Sequence, residues 1–323
     1  MAENYGLPYS GSKSRIAHFV IDNLPRGRVL IDAFAGGCAI THRALLSQKW
    51  QTIIANDING KYPQLFLDAI HGRYRDERRW ISREDFERLK SKDAFVACCW
   101  SFGNNLQNYM YSKAIEPYKR ALHYAIVFDD FAPMQELTPE IAQAVHDALQ
   151  GRNNLHDRRI TAQNVIVKTL KRITDDNFAH PVIQSNPLYQ KIRHTSRNTP
   201  SLQSLESLQS LESLGRLERL QSLERLQVTS LSYDEIDIPD GAVVYCDPPY
   251  HACKKSLYES TARFDHNAFY DWCVSVSKTN PIFISEYSIE DDRFEVVAEK
   301  QKMTSMSSNK SFIVTERLYT VKK

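Results

Sequence analysis

Asp247-Pro248-Pro249-Tyr250 stands directly behind the apolar run 242–246. A carboxylate, two residues of fixed φ and an aromatic ring at the end of a buried strand suit one kind of chemistry. An exocyclic amine on a heteroaromatic base is a poor nucleophile, because its lone pair is delocalised into the ring. Two hydrogen-bond acceptors aimed at its N–H bonds draw the nitrogen towards tetrahedral geometry and free that lone pair. Asp247 supplies one acceptor; the Pro248 carbonyl, held by two prolines, supplies a second that cannot drift. Tyr250 offers a face on which a base taken out of its helix can stack. The same four residues also make a rigid turn at a strand end, and the tetrapeptide alone does not choose between the two.

The elements that must carry these residues alternate. Ser12 to Leu24 has a helical apolar pattern stopped by Pro25, and Arg28 to Phe34 is a short buried strand ending in a glycine turn. Ala39 to Lys49 reads as a helix and Thr52 to Asp57 as a second strand. The pattern resumes with a strand at Ala242 to Asp247, a helix at Asp265 to Thr279 and a strand at Pro281 to Glu286. Phe294 to Lys300 and Ser311 to Val321 alternate apolar and polar, which predicts an antiparallel hairpin closing the sheet. Strands and helices in this rhythm predict a doubly wound α/β domain split around an insertion.

The middle is mostly helical, with its charge in blocks. Residues 129–147 carry five acidic residues and no Lys or Arg, whereas 151–200 carry nine Lys/Arg against three Asp. A helix over Asp157 to Phe178 would set Ile160, Val167, Leu170 and Ile173 on one face and Arg158, Lys168 and Arg172 on the other. That second face is a candidate DNA contact or a solvated surface. Ser185 to Pro200 reads as a loop. Ser201 to Gln227 is a low-complexity tract in which leucine recurs every third residue, nine times, and glutamate every sixth. Each triplet falls ~60° short of a helical turn, so the leucines spiral instead of holding one stripe. One straight helix on one surface could not bury them all, and the tract is expected to act as a spacer tolerant of length, ahead of integral packing or partner docking.

A chain of 323 residues is about two ordinary domains or one large α/β domain with an insertion. A hydrophobic fraction of 42% with 25% charged residues excludes wholesale disorder. Mean hydropathy is −0.46, and no apolar run approaches the ~18 residues of a membrane span. No secretory h-region opens the chain. Six cysteines without metal spacing predict a reduced, metal-free protein of the cytoplasm. A net charge of +2 does not by itself announce a polyanion partner.

Five further stretches join the tetrapeptide in a resemblance to Dam-type, alpha-group DNA N6-adenine methyltransferases. Tyr9-Ser10-Gly11-Ser12-Lys13 resembles that family's Tyr-x-Gly-x-Lys element. Asp32-Ala33-Phe34-Ala35-Gly36-Gly37-Cys38 resembles its Phe-x-Gly-x-Gly cofactor loop, with Cys38 standing where the pattern has glycine. Asn56-Asp57-Ile58-Asn59 resembles the end of its second strand; Phe283 to Tyr287 and Glu316 to Tyr319 resemble its C-terminal strands. The likeness covers about 1–115 and 228–323.

The resemblance implies a Rossmann-like class I mixed sheet with a C-terminal antiparallel hairpin. A catalytic domain of 1–71 and 228–323 would surround a target-recognition insertion, 72–200, and the leucine tract, 201–227. It implies S-adenosylmethionine as cofactor, near Tyr9, Lys13, Asp32, Phe34, Gly36, Gly37, Asp57 and Tyr233. Glycines at 36 and 37 would let backbone approach that ligand, and Asp57 would accept from both ribose hydroxyls, unless it only caps a turn. Asp247, Pro248, Pro249 and Tyr250 would be catalytic, double-stranded DNA the partner, and no metal needed. Self-association through the leucine tract is a further option. RNA adenine methylation, cytosine-N4 methylation and an inactive DNA-binding adaptor are the alternatives. Asp at 247, where RNA enzymes often carry Asn and cytosine-N4 enzymes Ser, and a nearly whole cofactor loop weigh against them.

Overall fold

The computed structural model describes residues 4–175, 206–220, 225–250, 264–306 and 310–323. The loop expected at Ser185 to Pro200, and 201–205 and 221–224 of the leucine tract, lie outside them. Contacts divide the chain into two units: Met1–Arg75 with Lys92–Cys98 and Leu214–Lys323, and Asp76–Ser91 with Cys99–Ser213. In chain order the described helices are α1 (Ala17–Asn23), α2 (Ala39–Ser47), α3 (Lys61–Ile70), α4 (Arg83–Leu89), α5 (Ala94–Trp100), α6 (Glu116–Phe128), α7 (Ala132–Leu137), α8 (Pro139–Leu149), α9 (Leu155–Asp175), α10 (Glu206–Leu217) and α11 (His266–Val276).

The first unit is built on a sheet. Short runs rich in Val and Ile, flanked by Gly, Pro and Asp, form β1 (Val29–Asp32), β2 (Thr52–Asn56), β3 (Leu226–Thr229), β4 (Val243–Cys246) and β5 (Ile282–Glu286). These five run parallel. The long hairpin β6 (Phe294–Met306) and β7 (Lys310–Val321) closes the sheet antiparallel to β5, in the order β3-β2-β1-β4-β5-β7-β6. The mixed α/β architecture and terminal hairpin agree with expectation; β3 is a strand that the sequence reading did not include.

Register explains why the acidic residues gather. Asp32 lies opposite Ala55 on one side and Tyr245 on the other. Asp57 and Asp247 each follow two residues later, so all three carboxylates leave the sheet at one end. Strand order reverses between β1 and β4, and the carboxyl ends at such a switch point form the general ligand crevice of these folds. Under it, Phe269 and Cys273 of α11 pack on Ile31, Val244, Cys246, Ile282 and Ile284, all fully buried. Asp265 fixes where α11 begins by accepting from the backbone N–H groups of Asn267 and Ala268.

The second unit is helical. Ile141, Val145 and Leu149 of α8 and Ala162, Ile166 and Leu170 of α9 are buried. Ile160, expected on the apolar face of α9, is instead exposed. The buried stripe starts one residue earlier, at Arg159, whose guanidinium binds both oxygens of Glu212 at 2.6 and 3.0 Å. An ion pair therefore sets the phase that an apolar count alone assigns to Ile160.

The spacer expectation for the leucine tract is overturned. Residues 206–217 form α10 without a break at Gly215, and Leu208, Leu211, Leu214 and Leu217 are all buried. Their ~60° steps sweep about half the circumference, leaving a wet side at Gln209 and Arg216. Glu206 to Ser213 belong to the second unit and Leu214 onward to the first, so the four leucines divide between the units. The glutamate period is used as well. Glu206 faces Lys119 at 3.7 Å, Glu212 binds Arg159 and His156, and Glu218 pairs with Arg75.

Candidate active site

Asp247 leaves β4 with its neighbour Pro248 buried and Tyr250 half-buried. Lys13, from the 3-10 turn Lys13–Ile16, places its ammonium 2.9 Å from Asp247 Oδ1 and 3.4 Å from Glu316 Oε1 on β7. The same ammonium lies 4.2 Å from the centroid of the Tyr250 ring. Tyr250 donates its hydroxyl to Glu316 Oε1 and meets Tyr287 edge-on, with centroids 4.6 Å apart. The Glu316 side chain is 0% exposed and that of Lys13 10%. Burial alone would lower the Lys13 pKa, but the charges and hydrogen bonds of Asp247 and Glu316 raise it above the ordinary value. Burial, reinforced by the same two carboxylates, pushes the Tyr250 phenol well up. An ammonium whose charge two carboxylates favour against burial is thus held between them and an aromatic face.

The neighbouring residues form a second cluster along the sheet end. Asp57 accepts from the Gly36 N–H at 2.9 Å and the Asn59 N–H at 2.8 Å. Burial raises its pKa, and these two donors counter the rise. A carboxylate has about four acceptor sites, so two hydroxyl donors can still be received. Ile58 beside it is 72% exposed. Asp32 is buried and accepts from the Thr41 N–H and hydroxyl at the start of α2. Burial pushes its carboxyl up to about 7 against the pull of those bonds.

The glycine turn has an internal reason for its glycines. A Cβ on Gly37 would come within 2.6 Å of Tyr9 Cβ, so the missing side chain makes room for Tyr9. Cys38 has φ of 58°, the left-handed region. That conformation explains why glycine suits the position, and an L-residue there costs about 1–2 kcal/mol. Phe34 stacks on Tyr233 at 5.7 Å, and both pack against Phe264 and Phe269.

On α9, Arg158 spends its guanidinium on the Ala125 and Ile126 carbonyls of α6 and on Asp129 at 2.6 Å. The expected basic face is therefore reduced: Lys168 and Arg172 are exposed, while Arg158 closes a helix end.

A profile of the D12 class N6 adenine-specific DNA methyltransferase family matches residues 9–145. Over that stretch the chain is similar to adenine-specific DNA methyltransferases. The match supports methylation of N6 of adenine in DNA and does not favour the RNA, cytosine-N4 and adaptor readings. The matched stretch contains Tyr9, Lys13, the glycine turn and Asp57; the tetrapeptide at 247–250 lies beyond it. A candidate methylase of Haemophilus influenzae is a structural neighbour at 10% identity, over 98% of this chain and 92% of that one, with a TM-score of 0.28. No curated protein matches in sequence. Among the described residues no cluster of three or more His, Cys, Asp or Glu could hold a metal, and no helix is long and apolar enough to cross a membrane.

Several residues of this candidate site escaped the sequence reading of individual roles. Glu316 and Tyr287 come from strands far along the chain and show no local spacing to Asp247. Asn56 ties three strand ends, donating to the Ala33 and Leu231 carbonyls and accepting from the Thr229 hydroxyl and Leu231 N–H. Its place beside Asp57 was the available signal.

Proposed function

We propose that this is a Dam-type enzyme in which Asp247, Pro248, Pro249 and Tyr250 seat the target adenine of duplex DNA, flipped from the helix. The observation that carries the reading is the Lys13 ammonium, 2.9 Å from Asp247 Oδ1 and 4.2 Å from the Tyr250 ring centre. An N–H donor between that carboxylate and that ring has the relation that the adenine amine needs. Asp247 and the Pro248 carbonyl accept from N6, which localises its lone pair, and Tyr250 stacks on the base. Lys13 yields Asp247 as the base enters.

S-adenosylmethionine is the methyl donor in this reading, and the residues present fit it. Asp57 has acceptor capacity left for a ribose diol, exposed Ile58 offers an apolar cover beside it, and Tyr9 with Gly36 and Gly37 borders the turn. The bound cofactor supplies a methyl group activated by its sulfonium. The catalytic domain is the sheet unit, wider than the expected 1–71 and 228–323, and the helical unit, Asp76–Ser91 with Cys99–Ser213 in place of 72–200, is the DNA-reading insertion, where Lys168 and Arg172 are exposed cations suited to phosphate. Long-read sequencing of DNA from a methylation-free host tests the reading. The wild-type chain should leave N6-methyladenine at one short motif and the Asp247→Ala chain none; methylation persisting in the variant removes Asp247 from the site.

A further inference from the structure

Glu316 lies on β7, far in sequence from the tetrapeptide, yet one of its oxygens serves two groups of the site. Oε1 faces the Lys13 ammonium at 3.4 Å and receives the Tyr250 hydroxyl. The side chain is fully buried. A buried carboxylate is retained at a cost of several kcal/mol unless paired, and here both partners belong to the amine seat. Lys13 bridges the two carboxylates, and the adenine amine competes for one of them. We infer that Glu316 is a positioning residue for methyl transfer: it receives Lys13 when the target amine takes Asp247, and its bond to Tyr250 fixes the ring on which the base stacks. This rests on the role proposed for Asp247.

Without the Glu316 charge, Lys13 has one carboxylate left and stays on Asp247, in the way of the base. Burial then weighs more in its protonation, so its pKa falls. The amine is released from Asp247 as the pH rises through that lower value. In Glu316→Gln the shape is kept and the charge removed.

The test measures methyl transfer from labelled S-adenosylmethionine to genomic DNA of a methylation-free host, for the full chain. Glu316→Gln should lower kcat about 10- to 100-fold, the scale of a small misplacement at the reacting centre, with KM for both substrates within about threefold. The ratio of variant to wild-type kcat should climb between pH 7 and 10, since wild-type Lys13 stays charged there. A native kcat, or a loss that is constant with pH, overturns the inference. Should Glu316→Gln not fold, Lys13→Met and Lys13→Met/Glu316→Gln replace it, the latter removing both buried charges. Loss of the Glu316 charge should then change kcat less than threefold in the Lys13→Met background. A tenfold or larger loss there shows a role independent of Lys13 and overturns the inference. Asp247→Ala run in parallel separates the two readings: if it is inactive while Glu316→Gln is native, only the Glu316 role fails.

Discussion

Among the described residues each unit has one largely buried lysine, and the two are handled in opposite ways. Lys13, in the sheet unit, faces Asp247 and Glu316 within 3.4 Å and has its pKa raised. Lys119, in the helical unit, is 1% exposed and faces the half-exposed Glu206 at 3.7 Å. Burial outweighs that more distant carboxylate and lowers its pKa to about 8. The face of Tyr111 lies 5.5 Å from its ammonium. Two close carboxylates keep an ammonium charged, as the proposed exchange at Asp247 requires; the more distant Glu206 leaves a charge that packing merely tolerates. In the sheet unit polar burial gathers charge at the proposed amine seat, while in the helical unit it weighs on the core.

The comparison breaks most visibly at Asp247. Asp247→Ala should lower methyl transfer by about 10²–10³-fold or more, the scale of a lost preorganised polar contact. Binding of S-adenosylmethionine, followed by calorimetry, should stay within a few-fold. Near-native turnover would place Lys13 and Lys119 in one structural category.

The helical side of the contrast is apolar, and Leu208 tests it. Leu208→Ala in α10 should cost about 2–5 kcal/mol, as for a fully buried leucine, seen as a lower urea midpoint. A loss under about 0.5 kcal/mol, the surface range, would return the tract to a spacer.

Lys119→Met keeps volume and removes the charge; the Glu206 side chain is 42% exposed, although its Oε2, which faces Lys119, is buried. The unfolded chain holds the Lys119 proton up to 10.5, whereas the folded one releases it near 8. The unfolded state therefore binds more protons between those values, and wild-type stability rises with pH across them. The rise is bounded by about 3 kcal/mol at ~1.4 kcal/mol per pH unit. The Met variant should be the more stable at pH 7 and show a flatter profile; equal slopes by urea titration would mean that Lys119 is hydrated. Lys13 contributes no such slope below 10.5, because its folded pKa lies above that value.

The smallest effect is expected at Asp57, the carboxylate answered by backbone rather than by a lysine. Asp57→Ala should weaken S-adenosylmethionine by about 1–3 kcal/mol, the worth of a charge-assisted hydrogen bond. Unchanged calorimetric affinity would remove it from the cofactor site.

How much of this was legible depended on whether the signal was local. Strand and helix alternation, the Asp32, Asp57 and Asp247 strand ends and the tetrapeptide each occupy a few consecutive residues, and the sheet followed them. Glu316 was readable only as part of a strand motif, because its partners come from residues 13 and 250. Arg158 looked like a surface charge until the α6 carbonyls came within reach, and Ile160 lost its place to an arginine paired across the fold. β3 follows a tract whose period obscured the strand. Leucine every third residue could be read as a spiral, but not as one buried on more than one side.

The hexads of that tract look alike, yet they are not exchangeable. Six residues of α-helix advance about 9 Å and turn about 240° beyond a full turn. Gaining or losing one unit would swing Glu212 away from Arg159 and Glu218 away from Arg75, although the translated text would hardly change. The gene therefore holds a near-repeat of the kind that copying slips on in frame, while the ion pairs of Glu212 and Glu218 fit one copy number. Alleles differing by a hexad would be silent to a reader of the sequence and conspicuous to selection.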